Sequence, residues 1–194
     1  MDLNESQFSP SSEAGMEFYR LHILGDTRIV SILEHTYKWC ALGDYRRIQE
    51  DQGHIFQLRR GGTHADVLVV QLWNAKSHPT YFRGSHKASP AILNSVRAAN
   101  RMFEVALARL ERAGCEPQSI PFEDGGLVIM DARVAFEMRN GSPVTFSFAT
   151  ADQLKSWPKL VPPTSHNTPQ RVTELQKEKI GAYYVSQSLE NRDE

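Results

Sequence analysis

The apolar positions of this chain fall mostly into short runs of β type, separated by turn residues and interrupted once by a stripe of helical spacing. The densest run is 67–73, Val-Leu-Val-Val-Gln-Leu-Trp. It is β-branched and almost continuously apolar, which predicts a strand buried on both faces. Gly61-Gly62 separates it from a predicted strand over 54–58, and a short strand around Tyr81-Phe82 ends in the turn Gly84-Ser85. Further on, Asp124-Gly125-Gly126 launches a buried run over 127–130, and a strand over 134–138 follows Arg133. Asn140-Gly141 is a tight-turn dipeptide, and beyond it Val144, Phe146 and Phe148 alternate with Thr145, Ser147 and Ala149. That pattern predicts a hairpin between 134–138 and 144–148.

The helical stripe lies between Ser89-Pro90 and Gly114. Ser is a good N-cap, Pro suits the first helical position, and Gly supplies a C-terminal stop. Ile92, Val96, Ala99, Phe103, Leu107 and Leu110 recur at spacings of three and four, which predicts one long helix with its apolar face against a sheet. Residues 16–45 mix short apolar runs with aromatics and predict a helix or an irregular packing layer. Residues 158–169 are Pro-rich and read as a surface connection. Residues 170–189, with Val172, Leu175, Tyr183 and Tyr184, predict a charged helix. The organisation expected is a flexible lead-in over 1–15, a folded domain over 16–155, and the connection and C-terminal helix over 156–194. Many strands with one interrupting helix predict a mainly β or α+β protein, a sandwich or a jelly roll.

Composition narrows the function classes. A length of 194 residues suits one domain with a sizeable core. The net charge of −1 offers no general attraction to nucleic acid, and the Arg46-Arg47 and Arg59-Arg60 patch lacks interleaved aromatics. Cys40 and Cys115 have no metal-type spacing and read as buried free thiols of a reducing compartment. The first 15 residues have neither a basic start nor an apolar segment, and no apolar stretch approaches the ~20 residues of a membrane helix. A cytoplasmic protein with no membrane or nucleic-acid partner is expected.

Several motifs, in order, resemble the phytanoyl-CoA dioxygenase branch of the iron- and 2-oxoglutarate-dependent oxygenases, in the style of its fungal natural-product members. Tyr81-Phe82-Arg83-Gly84-Ser85-His86-Lys87 is similar to that family's Pro-Gly-Ser-His-Lys turn, which follows a strand such as 67–73. The stretch 125–136, Gly-Gly-Leu-Val-Ile-Met-Asp-Ala-Arg-Val-Ala-Phe, stands in place of the family's Gly-Asp-Leu-Val-Leu-Trp-Asp-Gly-Arg-x-x-His strand, and Asn140 falls near its downstream Asn. His64-Ala65-Asp66 has the form of the first His-x-Asp ligand pair, although it abuts the next strand without the usual gap. The resemblance spans about residues 54–149 and implies a double-stranded β-helix (jelly roll) with flanking helices.

The departures bear on chemistry. Iron in this superfamily takes two His and one carboxylate. The second His falls where this chain has Phe136, which carries no lone pair, and 144–148 lacks the Arg that forks onto the cosubstrate carboxylate. His78, His86 and His166 are the other downstream histidines. His86 belongs to the turn, and His166, with Arg171 beyond it, lies in the Pro-rich connection.

Gln71, Trp73, Tyr81, Arg133, Phe136 and Arg139 are the candidate pocket residues, each with a packing role as the plain alternative. The metal candidates are His64 and Asp66 alone. Three functions follow as expectations. The first is a non-catalytic partner of a ligand-complete homologue in a fungal pathway of meroterpenoid type, forming a heterodimer or else a homodimer. The second is a metal-independent cyclase or isomerase acting on a natural-product intermediate in the barrel pocket. The third is an active dioxygenase with an atypical ligand set, the only one needing Fe(II) and 2-oxoglutarate. No Gly-x-Ser-x-Gly elbow, phosphate-cradling loop or Cys-x-x-Cys pair offers another enzyme class.

Overall fold

A computed structural model of the chain describes residue 9, residues 11–165 and residues 168–185. His166 and the last part of the expected C-terminal helix lie outside the described residues. In chain order the elements are α1 (Glu13–Tyr19), a π-helical turn (Arg20–Leu24), α2 (Thr27–Thr36), β1 (Cys40–Arg47), β2 (Asp51–Gln57), β3 (Val67–Trp73) and β4 (Pro79–Arg83). A 3-10 turn (Ser85–Lys87) follows, then α3 (Pro90–Leu93), β5 (Val96–Arg97), β6 (Phe103–Glu104), α4 (Leu107–Arg112), β7 (Glu116–Ser119), β8 (Gly126–Asp131), β9 (Ala135–Met138) and β10 (Val144–Ala149). Last come α5 (Ala151–Leu154), α6 (Thr168–Glu174) and β11 (Ile180–Ala182). The class is mainly β with α+β character, and no described helix is long and apolar enough to cross a membrane.

The chain forms two compact units, Arg47–Ser147 and a second made of Met1–Arg46 with Phe148–Glu194. The second unit contains α1, the π-helical turn, α2, α5, α6 and the parallel pair β1–β11, in which Cys40 faces Ile180 and Leu42 faces Ala182. Ser12 caps α1 by accepting from the Gly15 N–H at 3.0 Å, and Asp26 caps α2 by accepting from Arg28 N at 2.9 Å. Tyr19, Ile23, Ile29 and Leu33 turn their side chains into the core of this unit, where the Tyr19 ring lies 6.3 Å from that of Phe148. The expected helix or packing layer over 16–45 is helical through Thr36, but it also contains β1, which its sequence did not signal. Cys-Ala-Leu-Gly-Asp-Tyr-Arg-Arg has no β-branched residue and contains Gly43 and Asp44, and one partner strand, β11, comes from the other end of the chain. Cys40 is fully buried, which pushes its thiol up to about 12, and burial raises Cys115 as well.

The helix expected over 170–189 is corrected by the described part of the tail, where α6 stops at Glu174 and β11 follows. Gly181 explains the change. A Cβ there would stand 2.9 Å from Trp39, so the backbone lies close enough to join β1 as a strand.

The other unit carries a six-stranded sheet of order β5-β6-β2-β9-β4-β7, and in it β10, β3 and β8 also run side by side. Strand β3 has the bounds expected from 67–73 and is paired antiparallel with β8 from Leu68↔Asp131 to Trp73↔Gly126. On one face of the six-stranded sheet Ile55, Phe82 and Ala135 form a cluster with Leu93, Val105, Leu110 and Cys115. The registers Phe56↔Phe136 and Tyr81↔Phe136 set three aromatic rings side by side on the opposite face.

Two expectations fail here for physical reasons. The single helix over 89–114 is two short helices with a small hairpin between them. Asn94 leaves α3 in the left-handed conformation (φ 45°), and Ala98 N donates to Met102 O at 2.9 Å to close the hairpin β5–β6. The helical stripe therefore splits: Leu110 is buried while Ile92, Val96 and Leu107 are exposed. Helical spacing is present locally, but tertiary burial selects a different set of residues.

The hairpin between 134–138 and 144–148 is also absent, because β9 lies between β2 and β4 while β10 lies beside β3. The Asn140-Gly141 turn carries the chain from one sheet to the other. It is tied sideways: Asn140 Nδ2 donates to Lys76 O (2.9 Å), Gly141 N to Glu50 Oε2 (3.1 Å), and Ile48 N to Pro143 O (3.0 Å). All six residues of β10 are buried, so its polar positions do not face water as the alternation predicted.

The turn and the α2 cap can each be tested by substitution. Gly141 has φ +98°, and a Cβ there would overlap the Ser77 hydroxyl and stand 2.8 Å from Ser77 Cβ. Gly141→Ala should lower the urea midpoint by the equivalent of about 2 kcal/mol; a loss below ~0.5 kcal/mol contradicts this account of the turn. The Arg28 guanidinium beside Asp26 pulls that carboxyl from 3.8 down to about 2. Its contribution is therefore complete above 3.8 and disappears as the pH falls through about 2. Asp26→Ala should cost ~1 kcal/mol at neutral pH, and progressively less in urea titrations over that acid range.

Candidate functional site

Four of the residues singled out from sequence lie on two stretches of chain, His64 and Asp66 in the segment 58–66, and Arg133 and Phe136 at the entry to β9. Segment 58–66 is anchored by Leu58 N and Arg59 N, which both donate to Ala132 O at 3.0 and 2.9 Å. Gln57, 2% exposed at the end of β2, donates from Nε2 to Arg133 O. Gly84 (φ +89°) opens the turn after β4, and Ser85 then links it to β9. Its hydroxyl donates to Phe82 O at 2.7 Å and accepts from Ala135 N at 2.8 Å. The Gly-Ser-His turn thus has a structural task. Between it and Gly61-Gly62 lies a cavity of only about 10 Å³, room for roughly one water molecule. The His86 Nδ1 atom is buried without a hydrogen-bond partner among the described residues.

Arg133 dominates this end of the unit. Its Nε and Nη2 donate to Asp131 Oδ1 and Oδ2 at 2.9 and 2.6 Å, and its Nη1 donates to the Gly62 carbonyl. The two side chains are only 10% and 12% exposed, so this is a nearly dry, two-pronged ion pair. The adjoining carboxylate pulls the Arg133 pKa further up. The sequence pointed to Arg133 but not to Asp131, Gly62 or Gln57. The Asp-x-Arg spacing of 131 and 133 was the available signal, since Arg133 N also donates to Asp131 Oδ1 (2.9 Å) in a local turn.

The two metal candidates are placed otherwise than the ligand pattern requires. Asp66 Oδ2 accepts from Arg59 Nη1 at 3.1 Å, in a pair 30% and 21% exposed. His64 is exposed, and its Nδ1 lies 2.9 Å from the Thr63 hydroxyl. Phe136 is fully buried with its ring 6.2 Å from that of Tyr81. Among the described residues no three His, Cys, Asp or Glu side chains stand together as a metal-holding group. The residues present do not fit a two-His, one-carboxylate iron site, because an arginine already takes the carboxylate and a phenyl ring supplies no donor.

The interior candidates do meet. Trp73 Nε1 donates to Tyr81 Oη at 2.9 Å, and Tyr81 Oη donates to Gln71 Oε1 at 2.7 Å. Indole can only donate, so the direction of this relay and the orientation of the Gln71 amide follow. Gln71 is fully buried, and its Nε2 has no partner among the described residues. Burial holds the Tyr81 hydroxyl well above the usual phenol range, so it remains protonated. Arg139 is not part of this group. It is 55% exposed and paired with Glu137 at 2.8 Å, and Glu137 alternates with Phe136 and so points to the other face of β9.

No protein-family model matches the chain, and neither a curated protein nor a solved structure matches it. The fold and site together define a mainly β protein with a packed aromatic interior and two carboxylates, Asp66 and Asp131, each held by an arginine.

Arg133→Ala would strand the Asp131 carboxylate and the Gly62 carbonyl. A loss of about 3 kcal/mol in urea unfolding is expected, with Arg133→Lys recovering only part of it because an ammonium cannot reproduce the fork. Full recovery by lysine would show that charge alone, without the two-pronged geometry, holds this end together.

Proposed function

We propose that this chain is an oxygenase-like jelly roll without a working iron site, and that it serves as the partner subunit of a homologous, ligand-complete iron/2-oxoglutarate oxygenase. In a jelly roll, successive strands alternate between two sheets. Here β2, β9, β4 and β7 run side by side in one sheet and β10, β3 and β8 in the other, so the chain changes sheet at each step from β2 to β4 and again at each step from β7 to β10. His64-Ala65-Asp66 falls between β2 and β3, and Phe136 is near the start of β9. These positions agree with the motif order that suggested the family.

The observation that carries the reading is the Arg59–Asp66 pair, taken with Phe136 buried against Tyr81. A carboxylate engaged by a guanidinium is a poor ligand, since binding a cation would first have to break the pair. Arg133 forked onto Asp131 then stabilises this end of the unit by protein charges alone. A fold kept in order while its reactive centre is neutralised favours a structural task. The setting in a fungal meroterpenoid pathway rests on the resemblance only. The metal-independent cyclase has less behind it. Tyr81 is too firmly protonated to act as a base, although the unpartnered Gln71 amide offers a donor to a substrate carbonyl.

The test has two arms. Anaerobic Fe(II) titration of the purified chain should show no stoichiometric binding by calorimetry. Co-expression with a ligand-complete homologue from the same organism should give a co-purifying complex, with altered turnover by that homologue. One equivalent of bound iron with 2-oxoglutarate consumption by the chain alone overturns the proposal, and so does a failure to bind or affect the homologue. Product formed from a pathway intermediate in the presence of a chelator would move the assignment to the cyclase.

A further inference from the structure

The outermost strands of this protein are not equally protected. A free strand edge presents unpaired N–H and C=O groups, and proteins commonly blunt it with short length, proline or charge. At one end of the six-stranded sheet β7 carries Glu116 and Pro117, and at the other β5 is only two residues long and includes Arg97. Strand β8 has none of these devices. It is six residues long, Gly-Leu-Val-Ile-Met-Asp, and has no charge before Asp131. It pairs with β3 along one side, and among the described residues no strand pairs with its other side. Leu127, Val128 and Ile129 are all half-buried, not covered. The one charge, Asp131, is already neutralised by Arg133 at 2.6 Å.

We infer that β8 is a self-pairing edge, which joins β8 of a second copy of this chain in antiparallel fashion about a two-fold axis. The inference does not rest on the proposed function. The occupant follows from the strand's own chemistry. A charged peptide would find no counter-charge between Gly126 and Met130, whereas the strand is its own complement. With the axis normal to the sheet, residues that face each other must point to the same side of it, which restricts the register. The register centred on Val128 sets Val128 against Val128, Leu127 against Ile129, and Gly126 against Met130. Every apposed pair is then apolar, and each Asp131 falls opposite a glycine, Gly125, outside the apolar stretch. Antiparallel pairs of β-branched and aliphatic residues are favourable, and no like charges meet.

Light scattering on the eluting protein tests this directly. The chain should run at twice its 22.0 kDa mass at micromolar concentration. Leu127→Lys and Ile129→Glu should each weaken dimerisation by on the order of 100-fold, because a charge is then set against an aliphatic side chain. Mixed together, the two variants should recover a heterodimer, since this register places the introduced lysine of one copy against the introduced glutamate of the other. Should either variant unfold, Val128→Cys supplies an independent reading: its thiols face one another and should cross-link under mild oxidation, while Cys40 and Cys115 are buried. A wild-type monomer at these concentrations, or no cross-link at position 128, overturns the inference. A chain that is monomeric alone and dimerises only with a homologous oxygenase also overturns it, while leaving the proposed function standing.

Discussion

The fork of Arg133 is the interaction on which the arrangement of this end of the protein depends. One buried residue binds the Asp131 carboxylate at the end of β8 and the Gly62 carbonyl in segment 58–66 through its guanidinium, while its backbone carbonyl accepts from Gln57 at the end of β2. Three separate stretches of chain are thereby held by one residue. A nearly dry ion pair is costly to assemble, and its net contribution to stability is small beside the cost of breaking it. What it provides is a defined geometry. Segment 58–66 can sit only where both the guanidinium and the Ala132 carbonyl are met.

That constraint bears on the reading of function. An open metal site needs donors left free and converging. Here the carboxylates near the expected ligand positions have their needs met by arginines, and the third position carries a ring that packs on Tyr81. Between the sheets' aromatic residues a directed relay of hydrogen bonds runs from Trp73 through Tyr81 to Gln71. Such a relay favours one packing, because Trp73 can only donate and the Tyr81 hydroxyl has a single proton to pass on to Gln71. The turn after β4 is specified in the same way, by the Ser85 hydroxyl that bridges it to β9.

Much of the strand plan was legible because it is written in local chemistry. β3 announces itself by β-branched residues, β4 ends at a glycine that needs positive φ, and β8 starts after Gly125, another such position. The failures came where two structures satisfy the same local pattern. The stripe from Ile92 to Leu110 has helical spacing, but Asn94 and the Ala98–Met102 closure break it, and the apolar residues buried over that stretch are Leu93, Met102, Val105 and, alone of the stripe, Leu110. Asn140-Gly141 specifies a turn and says nothing about which sheet receives the next strand. Strand β1 was invisible because Cys-Ala-Leu-Gly-Asp-Tyr-Arg-Arg has no β-branched residue and carries Gly43 and Asp44, which weigh against a strand.

The amino-acid sequence by itself determined the abundance of strands, the Ser89 and Gly114 boundaries of the inserted segment, and the absence of an imidazole at 136 and of an arginine over 144–148. Those are properties of composition and short-range spacing. Only the tertiary structure decided that Arg59 takes Asp66, that Arg133 takes Asp131 and Gly62, that Arg139 turns away with Glu137, and that β8 ends its sheet unpaired on one side among the described residues. The reason is physical: charge pairing and edge pairing depend on distances across strands that are remote in sequence, and the energy of burying each group is set by neighbours that no local window contains.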